Sequence, residues 1–309
     1  MSQTPAAVGA APTAAPLVRT EAPWKRIVAE FAESKLAMLG LVLLVLMIGA
    51  SLIAPLISPQ DPYDLAKLDI MDARLPPGEV AGEGFTFLLG SDGQGRDMLS
   101  AMLYGLRISL MVGVVSVVVA LGIGAVAGLL AAYTGGKVDA LIMRFVDIQL
   151  SFPAILIALI LLAMLGNGVD KVIFALVAVQ WAYFARASHG AALVERNKEY
   201  IEAARCLGIS KTRMLLKHLL PNCMPPLIVI ATINIARAIT LEATLSFLGL
   251  GVPVTEPSLG MLISNGFDYL LSGVYWISLF PGVVLTLVII AINLVGDQLR
   301  DVLNPRLKR

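Results

Sequence analysis

Long apolar runs separated by short polar segments are the dominant pattern of this sequence. The first run, Leu36–Ile57, contains no charged residue, and at about 1.5 Å per helical residue it can cross the ~30 Å hydrocarbon core of a bilayer. Five further runs lie at about 107–132, 148–166, 171–191, 223–250 and 274–297. Because only helices and closed barrels satisfy their backbone in lipid, and no strand pattern is present, the sequence predicts an all-α polytopic membrane protein with six transmembrane helices.

The fourth run is the weakest prediction of a span, because its charge-free stretch covers only Val172–Ala185. It reaches the length of a span if Arg186 extends its charge to the headgroups.

Composition agrees with a membrane protein, because 58% of the 309 residues are hydrophobic and only 15% are charged. The net charge of +1 gives no reason to expect a nucleic-acid partner. The cysteines and histidines lack zinc-like spacing, so we expect no metal site.

Basic residues are distributed unevenly between the two sides of the predicted bundle. If the N-terminus lies inside, most lysines and arginines fall on that side, whereas the long outer loop after the first span is rich in aspartate and glutamate. This asymmetry predicts cytoplasmic N- and C-termini. The predicted divisions are a disordered tail and cytoplasmic lead-in at 1–35, the first helix and its outer loop at 36–106, a core domain at 107–298 and a cytoplasmic tail at 299–309.

A charged amphipathic segment, 193–221, interrupts the apolar runs on the predicted cytoplasmic side. Glu199–Leu207 consists of good helix formers, and Gly208 can take the left-handed conformation that ends a helix. Ser210 is a candidate N-cap for a second helix, which Pro221 is expected to stop. Amphipathicity alone is equally consistent with a basic loop at the membrane interface and with a helix-turn-helix that docks on a partner.

The residues of this segment resemble the EAA loop of ABC importer permeases. In that family the loop is a cytoplasmic helix-turn-helix that docks on an ATPase subunit. His218 departs from the wider family, which usually has an aliphatic residue there, but the oligopeptide branch often has histidine before Leu-Pro-Asn. The resemblance implies a docking role for Glu202, Ala203, Ala204, Gly208, His218, Leu220 and Pro221.

Other stretches are similar to the C-type permease of the dipeptide/oligopeptide/nickel branch. Leu89–Leu110 resembles its Leu-Gly-Thr-Asp-x-x-Gly-Arg-Asp element, with Ser91 in place of threonine, and Glu242–Gly251 and Gly296–Asp301 also match. A typical Pro-Ser-Trp-Gly appears as Pro257–Gly260 with leucine in place of tryptophan, so no role of that tryptophan carries over. The resemblance covers about 35–309 and implies the type I ABC importer permease fold. It also implies a capping or gating element at the periplasmic mouth, formed by Asp92, Gly95, Arg96 and Asp97.

Two charged residues, Arg237 and Glu242, lie within the fifth apolar run, where a charge costs at least ~2.5 kcal/mol. They sit roughly 140° apart around a helix and are therefore poorly placed to pair with each other. Two interpretations stay open: structural pairing that locks the bundle, or a lining of the pathway that meets peptide termini. Gly122, Gly124 and Gly128 in the second run are expected to permit close helix packing.

The resemblance implies an importer permease of the bacterial inner membrane. Its implied partners are a homologous sister permease, two ATP-binding subunits and a periplasmic or extracellular substrate-binding protein. The Walker-type phosphate loop is missing from the sequence, so we expect a chain that is not an enzyme, binds no cofactor and leaves ATP and Mg to its partners. Di- or oligopeptides are the implied cargo, with nickel chelates and glutathione as alternatives. An ion-driven secondary transporter is the other class, but no clear internal repeat supports it.

Overall fold

The computed structural model describes residues 23–64, 68–82, 84–253 and 255–303. Within these ranges the chain is built of helices, and the only strand-like pairing is two isolated bridges in the segment between the first two long helices. The tail predicted to be disordered and the end of the C-terminal tail lie outside the described residues. The all-helical class is confirmed.

Most helices follow one another through short connections, but a long segment separates Ile57 from Met98. Met214–Leu219 is a π-helical turn. In chain order the helices are α1 Pro23–Glu33, α2 Lys35–Leu52, α3 Ala54–Ile57, α4 Met98–Thr134, α5 Gly136–Ser151, α6 Ala154–Leu165, α7 Val169–Glu195, α8 Glu199–Cys206, α9 Lys211–Arg213, α10 Leu220–Phe247, α11 Leu259–Phe267 and α12 Trp276–Leu303.

Helix α4 is the central element, and at two glycines its backbone lies almost directly against the backbone of α7. A Cβ built on Gly124 would lie 2.4 Å from the Trp181 carbonyl oxygen, and one on Gly128 would lie 2.2 Å from the Ala185 carbonyl oxygen. These two glycines therefore permit the close packing predicted for them. The same prediction is wrong for Gly122, around which nothing lies within 4 Å, because it faces away from α7.

The third predicted span is broken. Helices α5 and α6 meet at an angle of 89°, where Phe152 takes an extended conformation before Pro153. Proline disfavours the helical conformation in the residue before it and cannot donate to the preceding turn, so the helix stops and restarts. The apolar run 148–166 is thus the end of one helix and the whole of another.

Four helices within the described ranges are long and apolar enough to cross a membrane, and the bent α5–α6 pair adds a fifth if its two helices form one span. The four single helices are Lys35–Leu52, Met98–Thr134, Lys211–Phe247 and Trp276–Leu303. The fourth predicted span, 171–191, lies inside α7, which is not among them. The predicted count of six transmembrane helices is therefore not confirmed.

Candidate functional site

The segment 193–221 starts at the end of α7, where a small hydrogen-bonded cluster fixes its direction. Lys198 Nζ donates to Glu195 Oε1 at 2.6 Å, and the Tyr200 hydroxyl donates to Glu195 Oε2 at 2.8 Å. Burial acts to raise the pKa of Glu195, but these hydrogen bonds outweigh it and the pKa is lowered. Burial and the bond to the carboxylate raise the pKa of Tyr200 to about 12, so its hydroxyl remains a donor at physiological pH.

Gly208 forms the turn between α8 and α9 in the left-handed conformation, with φ +70°. The Gly208 N–H donates to the Arg205 carbonyl at 3.0 Å, and the Ile209 N–H reaches back to the Ala204 carbonyl at 3.3 Å. Such pairing closes a helix C-terminus. A Cβ built on Gly208 meets no atom within 4 Å. The glycine is therefore required by its backbone conformation and not by crowding.

The prediction that Pro221 stops the second helix is wrong, because Lys211–Phe247 runs as one helix. Pro221 lies in the first turn of α10, directly after the π-helical turn, in which the Leu220 N–H donates to the Leu215 carbonyl. An ordinary α-helix would bring the proline ring against the carbonyl four residues earlier. The π turn pairs residues five apart and takes up the proline without ending the helix. The segment is thus continuous with a membrane span.

This segment has one face buried in the bundle and one face open. Ile201, Met214 and Leu219 are almost fully buried and pack against α4, α7 and α10. On the other face, the side chains of Leu207 and Leu216 are 80% and 56% exposed. Among the residues carried over from the resemblance, Glu202, Ala203, Gly208 and Pro221 are exposed, His218 and Leu220 are half-buried, and Ala204 is buried.

Glu242 is completely buried where α4, α10 and α11 meet. Ser109 Oγ of α4 donates to Glu242 Oε2 at 2.9 Å, and Ser246 Oγ donates to Oε1 at 2.8 Å. The hydroxyl of Ser258, the N-cap of α11, also hydrogen-bonds to the carboxyl group. A buried charge costs least when hydrogen bonds satisfy it in this way. The residue joins three elements and does not pair with Arg237.

Arg237 lies on the opposite side of α10, with its side chain exposed. It lines a groove of about 450 Å³ between α6, α10 and α12. Thr240 and Thr244 continue the groove along α10, and Asn293 faces them from α12. The two charged residues of this span therefore occupy different environments.

The residues that the resemblance assigns to a periplasmic mouth form a buried cap over the start of α4. Arg96 Nε donates to Asp92 Oδ2 at 2.7 Å, with both side chains almost fully buried. Asp92 Oδ1 accepts from the backbone N–H groups of Gln94 and Arg96. The attraction between the hydrogen-bonded carboxylate and the guanidinium offsets the free-energy cost of burying each charge. This pair is therefore a structural element rather than a solvent-exposed ligand site.

The other two residues of this element, Gly95 and Asp97, fix it to the rest of the chain. Asp97 caps α4, since its Oδ2 accepts from the Ser100 N–H at 2.7 Å and from the Ser100 hydroxyl at 2.6 Å. Burial raises the pKa of Asp97 against the effect of these bonds. Gly95 has φ +80°, and a Cβ there would lie 2.2 Å from the Asp69 carbonyl oxygen. Only glycine fits at that position.

Several partners of these residues were missed from the sequence. The Glu195–Lys198 spacing before α8 was a visible signal, and so were the threonines three and seven residues after Arg237. The contact of Ser109 with Glu242 had no sequence signal, because the two lie 133 residues apart. In the described ranges no group of three or more His, Cys, Asp or Glu side chains is placed to hold a metal ion.

Comparisons with known proteins agree with the helical architecture. Residues 120–309 match the family described as "Binding-protein-dependent transport system inner membrane component", and residues 22–77 match "N-terminal TM domain of oligopeptide transport permease C". The permease of the inward-facing MetNI methionine ABC transporter shares the fold at a TM-score of 0.55 and 23% identity, covering 67% of this chain and 98% of that one.

Curated relatives match over most of their length. The chain is 38% identical to the Di/tripeptide transport system permease protein DppC of Pseudomonas aeruginosa, over 96% of this chain and 97% of that protein. It is 35% identical to the Oligopeptide transport system permease protein OppC of Bacillus subtilis, over 93% of this chain and 90% of that protein. The chain therefore belongs to the family of binding-protein-dependent transport system inner membrane components, the permeases of ABC importers.

Proposed function

We propose that this chain is one of two permease subunits of an ATP-driven importer of di- and oligopeptides. It spans the bacterial inner membrane with both termini in the cytoplasm, and its translocation pathway lies along the interface with a homologous sister permease. A periplasmic or extracellular binding protein delivers the cargo. Family membership supports the permease role, and the uneven distribution of basic residues supports the orientation.

The observation that carries the proposal is the construction of the segment 193–221. Its buried face, with Ile201 and Met214, holds it against the bundle, while Leu207 and Leu216 remain open. Its second helix continues into the membrane as α10. A partner that binds the open face can therefore move a membrane-spanning helix directly, which is what coupling to an ATPase requires.

The chain itself is proposed to be non-catalytic and to bind no cofactor. ATP and Mg are used by two partner ATP-binding subunits, which dock on the exposed or half-buried Glu202, Ala203, Gly208, His218, Leu220 and Pro221. Ala204 is buried and supports this surface from within the bundle. Because a ligand shifts an equilibrium only through differential contacts with the two states, ATP acts through the ATPase surface that meets this segment.

Peptides are the proposed cargo because several relatives with high coverage are named for di/tripeptide, dipeptide or oligopeptide transport. Nickel chelates and glutathione are the alternatives within the same machinery. An ion-driven mechanism is disfavoured by family membership.

The test is uptake by proteoliposomes that contain this chain, its sister permease and both ATPases, with the binding protein outside and ATP inside. We expect labelled di- and tripeptides to accumulate inside the vesicles when ATP is present. Vanadate should stop this uptake, and dissipation of proton and sodium gradients should not affect it. Competition by excess glutathione or nickel chelate, without competition by peptides, would reassign the cargo. Uptake driven by an ion gradient alone would refute the proposal.

A further inference from the structure

Arg237 is a charged group at membrane depth that forms no salt bridge with any residue in the described part of the chain. In the ranges that the structure describes, no carboxylate lies within 4.0 Å of its guanidinium. Glu242, the acidic residue on the same helix, is buried on another side and bonded to serine hydroxyls. Charges within a membrane are paired or face a water-filled cavity, and Arg237 is exposed on an open groove. An anion that enters this groove can therefore reach the guanidinium.

The groove around Arg237 has the composition of a ligand site. Its volume of about 450 Å³ falls in the range of roughly 300–1,000 Å³ that small-molecule sites occupy. Ile233, Leu241 and Ile289 provide apolar walls, and Arg237 and Asn293 provide polar groups that point into the same space. One acidic side chain of a packed neighbouring helix would fill only a small part of this volume.

The polar groups of the groove follow one stripe of α10. Arg237, Thr240 and Thr244 are spaced three and four residues apart, so they share a helix face over about 10 Å. Thr240 Oγ1 donates to the Ala236 carbonyl at 2.9 Å, and Thr244 Oγ1 donates to the Thr240 carbonyl at 2.8 Å. Since the hydroxyl protons are used, the two oxygens face the groove as acceptors. The stripe therefore offers a cation at one end and acceptors for N–H groups along the rest.

We propose that Arg237 binds the C-terminal carboxylate of the transported peptide, while Thr240 and Thr244 accept hydrogen bonds from its N–H groups. This inference rests on the proposed function and identifies the feature of the cargo that the permease recognises. An extended peptide advances about 3.3–3.6 Å per residue, so the stripe matches about three residues. The terminal carboxylate is common to all peptides, so a site that binds it is compatible with any side chains.

Such a site has to be weak, because a transport pathway must release what it binds. The open groove satisfies this requirement, since Arg237 stays in contact with solvent and its bond to a carboxylate is only partly desolvated. Recognition comes from the charge-assisted bond, which is stronger than a neutral one. We expect Arg237 to affect the rate at which a peptide crosses, rather than its capture by the binding protein.

The experiment compares a tripeptide with its C-terminally amidated form in the reconstituted complex, for wild type, Arg237→Gln and Arg237→Lys. The affinity of the binding protein for each peptide is measured separately, and uptake is followed with the binding protein saturated. In wild type we expect faster uptake of the free carboxylate. Arg237→Gln should slow the free peptide about tenfold, which corresponds to about 1.4 kcal/mol, and should leave the amide unchanged. Arg237→Lys should retain part of the preference.

Arg144→Gln is the matched control, because Arg144 is also exposed but lies on α5, away from the groove, and it should preserve the wild-type ratio. If Arg237→Gln slows both peptides equally, or lowers the yield of the complex with the sister permease, the arginine pairs with protein and the inference is wrong. Failure of the proposed function has a different signature, because wild type would then take up neither peptide, and both proposals would fall.

Discussion

Replacement of Gly208 tests whether the turn between α8 and α9 positions an ATPase contact. Because the backbone there is left-handed, with φ +70°, and nothing lies within 4 Å of a built Cβ, Gly208→Ala introduces conformational strain and no clash. That strain is about 1–2 kcal/mol for an L-residue. If the strained turn relaxes to another conformation in the free permease, docking has to restore the left-handed turn. The Kd for binding of the ATPase subunit then rises about 5- to 30-fold.

A graded series makes the Gly208 prediction specific. Gly208→Asn should weaken docking less than alanine does, since asparagine tolerates the left-handed region. Gly208→Pro should abolish docking, because proline holds φ near −65°. Gly190→Ala is the matched control, as Gly190 lies inside α7, has open space around it and does not have a positive φ.

The assay titrates purified ATP-binding subunit onto the permease pair in nanodiscs and measures Kd for each variant, with peptide uptake measured in parallel. We expect the order wild type, Gly190→Ala, Gly208→Asn, Gly208→Ala, Gly208→Pro, from tightest to weakest binding, with the first two indistinguishable. Equal Kd values across the series would refute it. So would a loss with Gly190→Ala as large as that with Gly208→Ala.

Three further predictions concern other parts of the chain. Arg96→Met leaves the Asp92 carboxylate buried and unpaired, which should destabilise the protein by about 3–5 kcal/mol and lower its Tm, and an unchanged Tm would contradict the ion pair. Glu242→Gln replaces one of the two oxygens that accept serine hydroxyls with an NH2 group that cannot accept. It should reduce both complex yield and transport, so normal values for both would argue against the structural role. A membrane-impermeant maleimide should label the exposed Cys206, and not the buried Cys223, in inside-out vesicles only. Labelling of intact cells, absent in Cys206→Ser, would reverse the proposed orientation.

Local backbone chemistry could be predicted from the sequence where one residue decides it. The turn at Gly208 needs a left-handed residue, and the α-helical class follows from apolar runs in lipid. The glycines of α4 predict close packing against another helix, but the sequence does not show which of these glycines make the contact. Gly124 and Gly128 contact α7 while Gly122 does not, because the direction of a helix face depends on where its neighbour lies.

Two errors come from proline, for opposite reasons. At Pro153 the signal for a break was present, but the absence of any charged residue from 148–166 concealed it. At Pro221 the same signal predicted a stop that does not occur, since a π-helical turn accommodates the ring. Whether a proline ends a helix depends on the preceding turn, and that turn is set by tertiary packing of Met214 and Leu219.

Contacts across the bundle were beyond sequence reasoning. Glu242 could be recognised as an unusual intramembrane charge, but its partner Ser109 lies on a different helix. Arg237 was recognised for the same reason, yet the groove around it exists only once α6, α10 and α12 are packed together. Side chains of this kind acquire their role from neighbours that are distant in sequence.

The most direct test of the account is site-specific crosslinking from the open face of the segment 193–221. Leu207→Cys, at a position 80% exposed, is placed in a cysteine-free chain and coupled to a short photocrosslinker in the assembled complex. The account predicts a crosslink to an ATP-binding subunit whose yield changes between ATP-bound and nucleotide-free states. Leu56→Cys, at a position 86% exposed near the other end of the bundle, should give none. Absence of the ATPase crosslink at Leu207, in a complex that still imports peptide, would contradict the claim that this segment couples the permease to ATP.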